Sequence, residues 1–179
     1  MLKLYINKIM IFVVIQILMN FTLNAKEPSL AILLNVINNN YQTFNIGNYH
    51  FICKTYGVIS IEELKFANEN NDVCQNSIKK LYKKNIHLKY ISQYILKVRQ
   101  MYHFEFKNNE CLLYSNGQKT LSEILLEEGV AIMRPRFKDR EFQYSFMKAQ
   151  SRAKYDKKGM WSENIPGKCL AELVEQQKN

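Results

Sequence analysis

Residues 111–131 have the sequence CLLYSNGQKTLSEILLEEGVA. The Asn-Gly pair at residues 116–117 follows an apolar run and predicts a β-hairpin, because this pair readily adopts the positive φ angles of a type I′ turn. Thr120 and Glu123 have the spacing of a capping box, so a short helix is expected to begin there. Gly129 is placed to end that helix. The stretch therefore predicts a hairpin followed directly by a short capped helix.

A longer helix is predicted downstream, over about residues 141–158. Its apolar residues recur at helical spacing, which is typical of a helix with one buried face. Asp139 is the expected N-cap and Gly159 the expected end. Trp161 is then expected to dock against the domain. The apolar stripe consists of Phe142, Phe146, Ala149 and Ala153.

The N-terminal half has the pattern of antiparallel strands. Turn-forming residues at 38–40 and 46–48 separate apolar stretches, which predicts consecutive hairpins. Asp72 is the expected cap of the helix that follows. Alternating apolar residues at 86–90 and 102–106 predict two further strands.

The composition favours a single ordered, basic domain. The chain has 179 residues, of which 47% are hydrophobic, and its formal net charge is +9. With only 6 glycines and 3 prolines, a repeat array, a fibrous protein and a Gly-rich phosphate-binding loop are all disfavoured. The positive charge alone is a weak indication of nucleic-acid binding.

The N-terminus resembles an export signal. Lys3 and Lys8 flank the start of an apolar run at residues 9–19, and Ala25 is the small residue at the expected cleavage site. The run is too short to span a bilayer comfortably. We therefore expect a signal peptide at residues 1–25, a periplasmic or secreted protein, and no stable membrane insertion after cleavage. An uncleaved signal anchor is the alternative.

Four cysteines follow the expected cleavage site, which favours two disulfides in an oxidising compartment. The residues alone allow three pairings. The cysteines and the 3 histidines show no metal-ligand spacing, so neither a metal site nor a cofactor is expected. The cysteines are Cys53, Cys74, Cys111 and Cys169.

Two motifs resemble the thermonuclease (staphylococcal-nuclease-like) family. Residues 111–131 are similar to the family pattern LAYVY-DG-x-x-x-NExLVxxGLA, and residues 148–163, KAQSRAKYDKKGMWSE, are similar to xAExxAKxxxxGxWS. The resemblance implies an α+β domain over residues 26–165, with a five-stranded OB-like β-barrel and three helices, followed by a C-terminal tail at 166–179.

The resemblance also implies a disulfide pairing and a set of active-site positions. It favours disulfides Cys53–Cys111 and Cys74–Cys169. In active members of the family, two carboxylates bind calcium, two arginines bind phosphate and a glutamate acts as the base. The counterparts here are Asn40 and Ile59 at the carboxylate positions, Lys54 at the first arginine and Glu62 at the glutamate, while residues 107–109 contain no second arginine.

These replacements predict a degenerate site. An amide and an alkyl group cannot supply the charged oxygen ligands that calcium requires, and a lysine lacks the planar fork of arginine. Losing one electrostatic contact of this kind typically raises the barrier by about 3 to 4 kcal/mol, so useful turnover is not expected. An altered register that brings Glu63, Glu69 or Asp72 near Lys54 is the alternative.

The leading hypothesis is therefore a catalytically inactive, exported domain that acts as a structural or interaction module. Its partners would be proteins of the cell envelope, in an assembly such as a flagellar motor or a secretion apparatus. One alternative is an exported calcium-dependent nuclease with a relocated site. The other is a nucleic-acid-binding protein that does not cleave, whose contacts come from the basic loop formed by Arg134, Arg136, Lys138 and Arg140.

Overall fold

A computed structural model of the protein describes residues 28–117 and 119–176. The expected signal peptide, residues 1–25, lies outside the described residues. Within them, the helices are all too short or too polar to cross a membrane.

A six-stranded antiparallel sheet forms the body of the domain. Its strands are β1 (Ser29–Val36), β2 (Tyr41–Ile46), β3 (Tyr49–Lys54), β5 (Met101–Lys107), β6 (Glu110–Asn116) and β7 (Lys119–Thr120). The strand order is β3-β2-β1-β5-β6-β7. A separate two-stranded ladder joins β4 (Val58–Ser60) to β8 (Ala131–Met133).

Six helices pack around these strands in the described part of the chain. They are α1 (Ile61–Ala67), α2 (Asp72–Lys84), α3 (Ile91–Ile95), α4 (Leu121–Glu127), α5 (Gln143–Tyr155) and α6 (Ile165–Gln176). Short 3-10 helices span Ile86–Tyr90 and Gly159–Trp161.

The α+β class is confirmed, and so is the best-defined local prediction. Thr120 caps α4 in a complete capping box with Glu123. The described residues, however, form more strands and helices than the expected five and three, and the hydrogen-bonded ladders do not close into a barrel. Residues 166–176, expected as a tail, continue helix α6. The domain boundaries at residues 25 and 165 stay a prediction.

The sheet nevertheless curls until strands that are not neighbours meet. Cys53 on β3 is disulfide-bonded to Cys111 on β6, with Cα atoms 5.6 Å apart. The amide of Tyr56 donates to the carbonyl of Cys111 at 3.0 Å. A second disulfide, Cys74–Cys169, ties α2 to α6. The expected pairing is therefore the one in the structure.

Three local predictions are wrong. Asn71, not Asp72, caps α2, since its side chain accepts from the amide of Cys74 at 2.9 Å. Residues 86–90 form a 3-10 helix and not a strand, because only Leu88 in this segment is buried. Asp139 does not cap α5, whose N-cap is Phe142 without a side-chain hydrogen bond, and the helix ends at Tyr155 and not at Gly159.

The C-terminal end of α4 meets the turn after α5 at close range. Gly129 has φ +67°, and a Cβ added there would overlap the carbonyl of Lys158. The amide of Met160 donates to the carbonyl of Gly129 at 2.8 Å. This backbone contact places Trp161 against the core, as expected.

We expect Gly129→Ala to lower the free energy of unfolding by about 3 kcal/mol or more, because the strained φ and the overlap both penalise a Cβ. Gly47→Ala is the matched control, since Gly47 has φ +56° but no heavy atom near the added Cβ. The control should lose only about 1 to 2 kcal/mol. If urea unfolding shows equal losses of stability in the two variants, the close contact between Gly129 and the carbonyl of Lys158 would be contradicted.

Candidate functional site

The expected site residues lie where the end of β3, the turn before β2 and the first turn of α1 meet. Asn40 is fully buried in the turn, and Lys54 is the last residue of β3. Ser60 caps α1 by accepting from the amide of Glu63 at 3.3 Å. This cap fixes the direction in which the first helical turn presents its two glutamates.

Lys54 is held by carboxylates of the protein itself. Its ammonium lies 2.8 Å from Oε1 of Glu63 and 3.6 Å from Oε1 of Glu110. The other oxygen of Glu63, Oε2, accepts from the side-chain Nδ2 of Asn40 at 3.1 Å. Both oxygens of Glu63 are therefore engaged. The structure thus brings Glu63 to Lys54, whereas Glu69 and Asp72 are exposed.

Glu110 is a central residue of this site that the sequence reasoning missed. Its side chain is 8% exposed, and it also pairs with the guanidinium of Arg134. Its Oε2 accepts from the amide of Gly57 at 3.1 Å. The sequence does contain a signal for it, since Glu110 is an acidic residue at the start of an apolar strand. A carboxylate that is buried there needs cationic partners.

Glu62 points into a different environment. Its Oε1 accepts from the side-chain Nδ2 of Asn39 at 3.1 Å and from the hydroxyl of Tyr82 at 3.2 Å. Its Oε2 is buried and has no hydrogen-bond partner among the described residues. Burial raises the pKa of Glu62, although its hydrogen bonds partly oppose this rise.

Ile59 belongs to the core. It pairs with Ile132 across the β4–β8 ladder, and it is only 4% exposed. Its alkyl side chain can offer no ligand to an ion.

The basic loop, residues 134–140, is joined to this site by the ion pair between Arg134 and Glu110. Arg134 is bound to Glu110, whereas Arg136, Lys138 and Arg140 are exposed. Asp139 accepts from the hydroxyl of Tyr56 at 2.8 Å. Burial opposes the charge of Asp139, but this hydrogen bond and the nearby Lys107 lower its pKa, so the carboxylate is ionised.

A model of the staphylococcal nuclease homologue family matches residues 60–163, which is more than half of the chain. The chain belongs to this family. No curated protein matches it. The matched range includes Glu62, Glu110 and the basic loop, but it begins after Asn40, Lys54 and Ile59. The equivalence of those three residues to the family's metal and phosphate positions therefore stays a prediction.

The donor set of this staphylococcal nuclease homologue does not fit the calcium ion that the family implies. Calcium takes six to eight oxygen ligands, several of them carboxylates. Here Asn40 turns its NH2 group toward Glu63, and the ammonium of Lys54 already binds that carboxylate. Across the described ranges, no three His, Cys, Asp or Glu residues form a group that could hold a metal.

Glu62→Gln should change the pH dependence of stability. The folded protein holds the Glu62 proton more tightly than the unfolded chain does, so stability falls as pH rises from the ordinary value of 4.5 through the raised pKa. The variant lacks this penalty. At neutral pH the variant should be more stable than the unmodified protein by about 1.4 kcal/mol for each pH unit by which folding raises the pKa of Glu62. Denaturant unfolding of both proteins between pH 4 and pH 8 measures the difference, and a constant difference would contradict the assignment.

Lys54→Gln should lower the free energy of unfolding by about 2 kcal/mol, because the buried carboxylate of Glu110 loses one of its two cations. Lys80→Gln is the matched control: Lys80 pairs with Glu163 at 3.3 Å, but its side chain is 69% exposed. That exposed pair should contribute less than about 1 kcal/mol. Similar losses in both variants would show that the Lys54 cluster is no tighter than a surface pair.

Proposed function

We propose that this staphylococcal nuclease homologue does not cleave phosphodiesters and serves as an interaction module in the cell envelope. The observation that carries the proposal is the binding of the Lys54 ammonium by Glu63 and Glu110. In an active enzyme of this fold, a cation at this position would bind the phosphate of the substrate.

Phosphate binding would require the cations of this cluster to leave their carboxylates. Lys54 and Arg134 carry two positive charges, and Glu63 and Glu110 carry two negative ones, so the cluster is neutral. An incoming phosphate would meet the two carboxylates as well as the two cations. Catalysis of this type depends on preorganised, uncompensated charge where the transition state develops negative charge, and the cluster has none to offer.

The general base is also compromised. Glu62 is fixed by Asn39 and Tyr82, and none of its hydrogen bonds reaches Lys54 or Asn40 among the described residues. A base must lie within hydrogen-bond reach of the water that it activates. The metal ligands, the phosphate-binding cation and the general base are thus each impaired, for a different physical reason. This supports a role that depends on the fold and not on catalysis.

The proposed location is the periplasm or the cell exterior. Two disulfides join buried cysteines in the structure, and they are compatible with an exported protein because stable disulfides are typical of oxidising compartments. A large envelope assembly, such as a flagellar motor or a secretion apparatus, is the host that this proposal names.

One observation favours the relocated nuclease as a second candidate. Glu63, next in the chain to the expected base, does reach Lys54. It would have to release both Lys54 and Asn40 before it could bind a metal or activate water. The two glutamates therefore need to be tested separately.

The test is a cleavage assay with calcium on single-stranded DNA, double-stranded DNA and RNA. An active nuclease of this family serves as the positive control, and Glu62→Gln and Glu63→Gln serve as background. We expect the unmodified protein to cleave no faster than either variant. Calcium-dependent cleavage that Glu62→Gln or Glu63→Gln abolishes would overturn the proposal, and loss in Glu63→Gln alone would establish the relocated site.

A further inference from the structure

A cleft of about 430 Å³ opens beside the basic loop, and Arg134 of the neutral cluster forms part of its lining. Tyr56 and Phe137 form part of its wall, and Asn108 and Asp139 add polar groups. The cleft is too small for a folded domain but large enough for a few side chains. Its cations are Arg134, Arg136 and Lys138.

The loop is held rigidly on both sides of Arg136. The amide of Arg134 donates to the carbonyl of Gly57 at 3.0 Å. The ring of Phe137 stacks on Phe146 at 5.3 Å, and it lies so close to Gly57 that a Cβ there would overlap it. Farther along, Asp139 is bound by Tyr56. The backbone between these anchors is therefore fixed before any ligand arrives.

Three cations of this rigid loop, Arg136, Lys138 and Arg140, have no ion pair with another described residue, and the first two line the cleft. Arg136 and Lys138 are exposed, and neither side chain forms an ion pair or hydrogen bond with another described residue. Arg136 also has φ +61°, which costs a non-glycine residue about 1 to 2 kcal/mol. Such strain persists where the surroundings impose it, and it is concentrated at ligand sites. Fixed, unpaired cations beside a cleft favour an anionic ligand, because little ordering entropy is lost on binding.

The surroundings favour carboxylates over a nucleic-acid strand. Single-stranded nucleic acid is bound through aromatic rings that stack on bases, but Phe137 already stacks on Phe146 and meets the edge of Tyr56. Asp139 lies in the same cleft and repels any anion, so a ligand with one or two separated negative charges meets less repulsion than a continuous phosphate backbone does. A peptide needs only one or two of its acidic side chains to reach Arg136 and Lys138.

We infer that this cleft binds a short acidic segment of a partner protein, with Arg136 and Lys138 as its carboxylate contacts. The inference rests on the proposed function, since it names the kind of partner that the interaction module takes. Each contact is a charge-assisted hydrogen bond.

The test measures fluorescence anisotropy of a labelled oligoglutamate peptide with the protein expressed from its full-length gene, with both disulfides formed. Arg136→Glu/Lys138→Glu reverses the two contacts. Lys79→Glu/Lys83→Glu, on the exposed face of α2, makes the same change in net charge elsewhere. We expect the first variant to raise Kd at least about tenfold at physiological salt, and the second to raise it less than about twofold.

An oligoglutamine peptide and an oligothymidylate of equal charge are measured in parallel. Equal weakening by both double variants, or no binding of oligoglutamate by the unmodified protein, would overturn the inference. Tighter binding of oligothymidylate that Arg136→Glu/Lys138→Glu abolishes would also overturn it, in favour of nucleic acid. The cleavage assay is independent of these outcomes, so a protein that neither binds the peptide nor cleaves DNA refutes the inference and leaves the inactive module intact.

Discussion

The carboxylate of Glu110 is buried, and it binds the ammonium of Lys54, the guanidinium of Arg134 and the amide of Gly57. These partners come from the end of β3, the turn between β3 and β4, and the residue after β8, so one anion joins three parts of the fold. A buried carboxylate without such partners would be strongly unfavourable. Both cations consequently stabilise the folded structure through this carboxylate.

The same arrangement separates two kinds of positive charge on this domain. The cations nearest the expected reaction site are compensated by Glu63 and Glu110, and they stabilise the structure. Two cations of the basic loop, Arg136 and Lys138, form no ion pair with another described residue and line a cleft. Uncompensated positive charge thus lies at the cleft, whereas the cluster around Lys54 is neutral, and this difference supports the proposed interaction module.

Sequence reasoning recovered what depends on neighbouring residues and on the family resemblance. The capping box of Thr120 depends only on a residue three positions away, and the family resemblance gave both disulfides. Glu110 was missed because its role exists only after the sheet curls and brings β6 to β3. Glu62 and Glu63 are adjacent in sequence, and only the phase of α1 decides which of them faces Lys54. Asn71 and Asp72 are both capping residues, and the extended backbone of Asn71 selects it.

The two disulfides interlock along the chain, because Cys74 lies between Cys53 and Cys111, and Cys169 lies beyond both. A tensile force applied across the domain from Cys53 to Cys169 would pass through the short segment 53–74 and then through the second sulfur bridge. The long segment from Cys74 to Cys169 would carry almost no tension. The domain under load is thus a connector whose extension is limited by the length of segment 53–74, even if its hydrogen bonds rupture.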